Sequence, residues 1–228
     1  MKKNVIASLF SLVSAFSATA SASIIFPEFD FKEGTYECTQ SQKDTLNENR
    51  HHLWLMSNAM TQRFGMFNST SKYQNNTEFL KYFDSPDVDG ISLFQYHNQV
   101  KDVYSFIKAT VWKQISYQNT FTGQDWDHNY EIACDPNGTE IASAGVIDHY
   151  IYMHPQFWTT LAVQSDKPFY TGGILIHEIA HMYGTGLQIR DHSYGEANAQ
   201  ILAKTDPDKA VTNADNYQNA AWHFWYFN

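Results

Sequence analysis

Ile174-Leu175-Ile176-His177-Glu178-Ile179-Ala180-His181-Met182 is an apolar run broken by two histidines and one glutamate. On a helix, residues i and i+4 share a face, so His177 and His181 project their imidazoles in the same direction. Two ring nitrogens placed this way suit one Zn²⁺ at about 2.0–2.1 Å. Glu178 lies one position along, where it reaches an activated water rather than the ion and can take its proton. Polar residues inside so apolar a segment need a reason to be there, and a metal supplies one. The spacing predicts a helix from about Ile174 to Tyr183, preceded by Gly172-Gly173 with Thr171 as N-cap, and ended by Gly184 and Gly186.

A zinc ion that keeps an open position needs a third protein ligand. Asp191, His192 and Glu196 follow the helix, and Gly184 and Gly186 would let the chain turn back toward it. Spacing alone does not choose among the three. Asp206-Pro207 reads as another helix start, with proline at the first helical position.

Working outward, the remaining pattern predicts an α+β domain. Gln42 to Phe64 has Leu46, Leu53, Met56, Ala59, Met60 and Phe64 at helical spacing. Further helices are expected from near Asn76 to the break at Ser85-Pro86, and from about Val88 to Lys108. Thr110–Tyr117, Tyr130–Cys134 and His149–Met153 are short and rich in β-branched and aromatic residues, and turn sequences separate them. They predict a small, mainly antiparallel sheet. Helices return after Gly195 and run toward Trp222. The aromatic tail Trp222, Phe224, Trp225, Tyr226 and Phe227 reads as packing. Of the other histidines, His154 and His192 are expected nearest the cleft, and His51-His52 forms a conspicuous pair.

The first residues carry an export pattern: Lys2-Lys3, an apolar stretch from Val5 to Phe16, then Ala20-Ser21-Ala22. Residues 1–22 are expected to be a signal peptide and 23–228 a single catalytic domain, secreted or periplasmic. The chain of 228 residues carries a formal net charge of −9, and loss of Lys2 and Lys3 would make it more negative. Such a surface argues against nucleic acid and anionic membranes as partners. A monomer without stable membrane association, acting on proteins or peptides, is the expectation. The two cysteines, Cys38 and Cys134, predict one disulfide in an exported chain.

From His177 to about His223 the sequence resembles the aspzincin, or deuterolysin-like, zinc metallopeptidases, nearest their peptidyl-lysine metalloendopeptidase branch. Two signatures carry the resemblance. Asp191-His192-Ser193-Tyr194-Gly195 has an aspartate three residues before a Tyr-Gly pair, and Asp206-Pro207-Asp208-Lys209-Ala210-Val211-Thr212-Asn213-Ala214-Asp215-Asn216 follows in the right order. The resemblance implies a zincin-like fold with one zinc per chain, held by His177, His181 and Asp191. It also implies Glu178 as general base and Tyr194 as donor to the oxyanion. Cys38 and Cys134 fall where one family disulfide would lie. The family's lysine preference is attributed to two acids in the pocket after the cut. Asp215 matches one, but Gln218 stands at the other, so one charge is missing and discrimination should weaken. The Gly-Thr expected just ahead of the ligand aspartate is displaced, with Gln188-Ile189 in its place. The implied activity is hydrolysis of internal peptide bonds. The alternatives are a cell-wall peptide hydrolase, or a zinc-stabilised binding or toxin module in which His192 or Glu196 fills the fourth position.

Overall fold

The computed structural model describes residues 28–65, 77–84, 90–111, 117–118, 125–126, 130–183 and 188–226. Its elements are α1 (Gln40–Gly65), α2 (Thr77–Phe83), α3 (Gly90–Val111), β1 (Tyr117–Gln118), β2 (Asp125–Trp126), β3 (Glu131–Cys134), β4 (Ala142–Gly145), β5 (Tyr150–Met153), α4 (Pro155–Val163), α5 (Lys167–His181), α6 (Glu196–Thr205), α7 (Pro207–Ala210) and α8 (Ala214–Tyr226). The order is helices, then strands, then helices, which is the α+β arrangement expected. The signal peptide, the glycines at 184 and 186 and the end of the aromatic tail at Phe227 lie outside the described residues.

The helix α5 is the axis of the molecule, packing against α1 on one side and α8 on another, with β4 beside it. Every residue from Tyr170 to Ala180 is buried. The helix begins a full two turns earlier than the pattern predicts. Asp166 caps it, its side chain accepting from the Phe169 amide at 3.1 Å, and Pro168 sits in the first turn. Thr171 is therefore not a cap but a buried residue of the helix interior. The misreading comes from Gly172-Gly173, which look like helix breakers. Their cause is tertiary: a Cβ at Gly172 would lie 3.0 Å from Met56 Sδ and 3.3 Å from the Leu53 backbone nitrogen on α1. One at Gly173 would fall 1.9 Å from Trp222 Nε1 on α8. Glycine costs about 1 kcal/mol per helical position against alanine, and the close approach of two neighbours offsets it.

On α1 the predicted face is the buried one: Leu46, Leu53, Met56 and Met60 are at most 1% exposed. The third helix runs on to Val111, so Thr110 is helical rather than the start of a strand; its hydroxyl donates to the Phe106 carbonyl one turn back at 2.7 Å. The main sheet has the order β3-β5-β4 and is mixed. Antiparallel pairing holds for β4–β5 and for the separate β1–β2 pair, but β3 runs parallel to β5. The chain therefore passes from β3 to the far edge of the sheet and returns through a tight turn to the centre. In that turn the His149 amide donates to the Gly145 carbonyl at 2.8 Å. The strand β4, Ala-Ser-Ala-Gly, lacks the β-branched and aromatic residues that mark strands, and β5 alone holds it in the sheet.

Cys38 and Cys134 form a disulfide across a sequence separation of 96 residues, tying the segment before α1 to the end of β3. Replacing both with alanine should lower the unfolding free energy by about 2–5 kcal/mol, most of it through the unfolded chain. Urea midpoints of the oxidised protein and the double variant measure this, and equal midpoints would show that the cross-link adds no stability.

Candidate metal centre

Three segments build the centre. The helix α5 supplies His177, Glu178 and His181. The stretch from Gln188 to Gly195 brings Asp191. The start of α8 supports both from behind. The Arg190–Asn213 bridge fixes the loop: the Arg190 amide donates to the Thr212 carbonyl at 2.8 Å, and the Ala214 amide to the Arg190 carbonyl at 3.0 Å. Asn213, fully buried, then grips the next turn. Its Oδ1 accepts from the His192 and Ser193 amides at 2.8 and 3.2 Å, and its Nδ2 donates to the Ser193 carbonyl and to Asn216 Oδ1. Asn216 in turn donates to the Tyr82 and Ala199 carbonyls.

Asp191 is thereby held over α5. Its Oδ1 lies 3.0 Å from His177 Nε2 and 3.3 Å from His181 Nε2, and the two Nε2 atoms are 3.2 Å apart. His181 Nδ1 faces the Ile189 carbonyl at 3.0 Å, so the proton belongs on Nδ1 and the lone pair on Nε2 points inward. His177 Nδ1 lies 3.2 Å from Asp215 Oδ1, a charge contact without good hydrogen-bond alignment. Two inward lone pairs and a carboxylate oxygen repel one another unless a cation lies between them. The donor set, His₂Asp with both outer nitrogens held by carbonyl or carboxylate, suits zinc. It is the one group of three or more such ligand side chains within 4.8 Å of one another among the described residues.

The charges respond to that crowding. Burial pushes the His177 imidazole down, but its contacts with the Asp191 and Asp215 carboxylates and the charge of Glu178 outweigh it and raise it to about 10. Burial likewise pushes Asp191 up, yet contacts with both imidazoles hold it far below the usual carboxylate range. Glu178 is 5% exposed, and burial raises its carboxyl above the ordinary value, partly countered by the two histidines. The phenol of Tyr194 is pushed up to about 12 by desolvation and by its hydrogen bond to Asp191, which keeps it a donor at neutral pH. Its ring lies nearly parallel to that of His177, with centroids 6.3 Å apart.

The other two candidate ligands point elsewhere. Glu196 accepts from the Tyr82 hydroxyl at 2.7 Å and from Gln200, and His192 Nε2 contacts the Thr212 hydroxyl. His154 is buried behind the cleft wall and reaches it only through Ser143, 2.8 Å from its Nε2. The His51 and His52 rings meet at a tilt, and His52 packs edge-on against Trp225. Asp215 and Gln218 both line the cleft. Asp215, however, is 5% exposed and already engaged: besides His177, it accepts from the Gly195 amide and from Asn219 Nδ2. Gly195 meets it with a positive φ of 83°, a conformation that favours glycine. The sequence reading does not single out the support given by Asn213, Asn216 and Asn219. The signal was present, since three asparagines at i, i+3 and i+6 entering an apolar helix are costly unless each is bonded.

The ligand cluster opens into a cleft of about 580 Å³, lined also by Ile174, Trp222, Glu140 and the β4 residues Ala142, Ser143 and Ala144.

A family sequence model described as lysine-specific metallo-endopeptidase, of the aspzincin family, matches residues 68–220. A peptidyl-Lys metalloendopeptidase of Grifola frondosa is 40% identical over 136 residues, 57% of this chain and 38% of that protein. One of Pleurotus ostreatus is 32% identical over 100 residues, 44% of this chain and 55% of that protein. An extracellular protease of Aeromonas hydrophila is 38% identical over 68 residues, 30% of this chain and 18% of that protein. The matched part is at most about half the length of these curated relatives. A solved zinc peptidase from Grifola frondosa superposes with a TM-score of 0.60 at 20% identity, covering 82% of this chain and 97% of that one. That likeness establishes the fold.

Asp215→Asn should weaken zinc binding by about 10- to 100-fold, because it removes the charge behind His177 Nδ1. Competition with a chromogenic chelator measures it; unchanged affinity would show that Asp215 does not support the ligand.

Proposed function

The chain belongs to the aspzincin family, and from that premise we propose that it is a secreted zinc-dependent endopeptidase that hydrolyses internal peptide bonds of proteins and favours a basic residue beside the cut. The observation that carries this reading is the convergence of His177, His181 and Asp191 on one point at the floor of an open cleft, with the buried carboxylate of Glu178 lining the same cleft.

His177, His181 and Asp191 would hold one zinc ion. When bound, the ion acts as a Lewis acid toward a peptide carbonyl and lowers the pKa of water. The remaining work belongs to the chain. Glu178, raised by burial, accepts a proton from the attacking water and returns it to the leaving amine. Tyr194, exposed at 63% and protonated, donates to the oxygen on which negative charge develops. Asp215 and the Ile189 carbonyl keep the two imidazoles turned with Nε2 inward.

A purely structural metal site would have all four positions filled by protein. Among the described residues no fourth ligand joins the cluster, and Glu196 and His192 are engaged elsewhere. This favours catalysis over a zinc-stabilised binding module. The disulfide and the name of the Aeromonas relative support export, with residues 1–22 as the leader. No helix among the described residues is long and apolar enough to cross a membrane. We take the protein to act as a monomer.

Digestion of a denatured mixed proteome, with and without a zinc chelator, tests the activity and reads the residues flanking each cut. Chelator-sensitive cleavage is expected, and no cleavage by zinc-loaded protein would overturn the reading. Glu178→Gln should keep zinc but lose at least about 10²-fold in kcat. Turnover near that of the parent protein would remove Glu178 from its role.

A further inference from the structure

We propose that Glu140 is the residue by which this chain selects a basic side chain in its substrate, supplying the charge that Gln218 lacks. The inference rests on the endopeptidase reading above and deepens it.

The cleft holds four acids with different obligations. Asp191 is committed to the two histidines. Asp215 is buried, and its carboxylate is shared between His177, the Gly195 amide and Asn219, which leaves little of its capacity for a ligand. Glu178 is buried at the reacting centre. Glu140 is exposed and, unlike the exposed Asp191, uncommitted: among the described residues its carboxylate has no hydrogen bond or ion pair. It stands two residues before β4, on the segment that forms a wall of the same cleft.

The rest of the lining fits the ligand. Ile141, Ile174 and Trp222 offer apolar surface for the methylene stem of a lysine. Gln218, 6% exposed, offers an amide but no charge. An ammonium group resting against these residues needs a carboxylate that is free to receive it, and Glu140 is that carboxylate. Because it is solvated, its pairing gives graded preference rather than absolute exclusion of neutral residues, and salt should weaken it.

The test compares zinc-loaded parent protein, Glu140→Gln and Glu140→Lys on paired peptides that differ only in lysine against norleucine beside the cut. Norleucine keeps the stem and removes the charge. The parent protein should favour lysine in kcat/KM. Glu140→Gln should reduce the lysine-to-norleucine ratio by about tenfold, the scale of one charge-assisted contact. Glu140→Lys should turn the preference toward a glutamate peptide, which a merely structural role would not do. The proposal is overturned if the parent shows no lysine preference, or if Glu140→Gln leaves the ratio within about twofold of the parent value. In either case continued cleavage leaves the endopeptidase reading standing. Binding of the lysine peptide to Glu178→Gln protein, by calorimetry, separates the remaining case. If neither peptide is cut by the parent and neither is bound by that variant, both readings fall together.

Discussion

Two imidazole nitrogens and a carboxylate oxygen stand within 3.3 Å of one another, an arrangement that asks for a positive charge, an ion or a proton, among them. The constraint propagates outward. Each imidazole must be held with its other nitrogen facing an acceptor, which is the task of the Ile189 carbonyl and Asp215. Asp191 must be carried back over the helix from a segment eight or more residues downstream. That in turn requires a buried polar clamp, because a loop crossing the core edge would otherwise leave amides unpaired. Asn213 is that clamp, and its fixed position depends on Asn216 and through it on α2 and α6. The demand made by this cluster of three side chains thus reaches most of the C-terminal half of the protein.

The same demand explains the division of labour among the acids. A carboxylate close to the histidines is taken up by its neighbours, and one at the mouth of the cleft is not. Asp215 and Glu140 line one cavity but differ in burial and in partners. Sequence position alone gives no sign of that difference.

What the sequence discloses follows from the range of each interaction. His177, Glu178 and His181 are legible because helical periodicity is local. The buried face of α1 is legible for the same reason. Asp191 is not fixed by spacing; the resemblance to a family points to it, and the fold brings it to the histidines. The start of α5 is misread because Gly172 and Gly173 answer to Leu53 and Trp222, which are remote in the chain. The strand β4 has no propensity of its own and exists through its pairing with β5. The parallel pairing of β3 with β5 is likewise a matter of topology, invisible in residues that suit either direction. The asparagine clamp leaves its trace only as an excess of buried amides, whose partners no local pattern reveals.

The paired glycines of α5 give that helix a waist where its neighbours press in from two sides. Each imidazole stands only one or two turns beyond it. A helix seated so tightly transmits displacement along its axis rather than absorbing it, since its core contacts leave little slack. Bulk added at the waist would therefore reach the histidines as a change in their spacing, although neither had been touched. The molecule's most permissive residues are in this sense its calibration, setting how far the two rings stand from the loop that completes them.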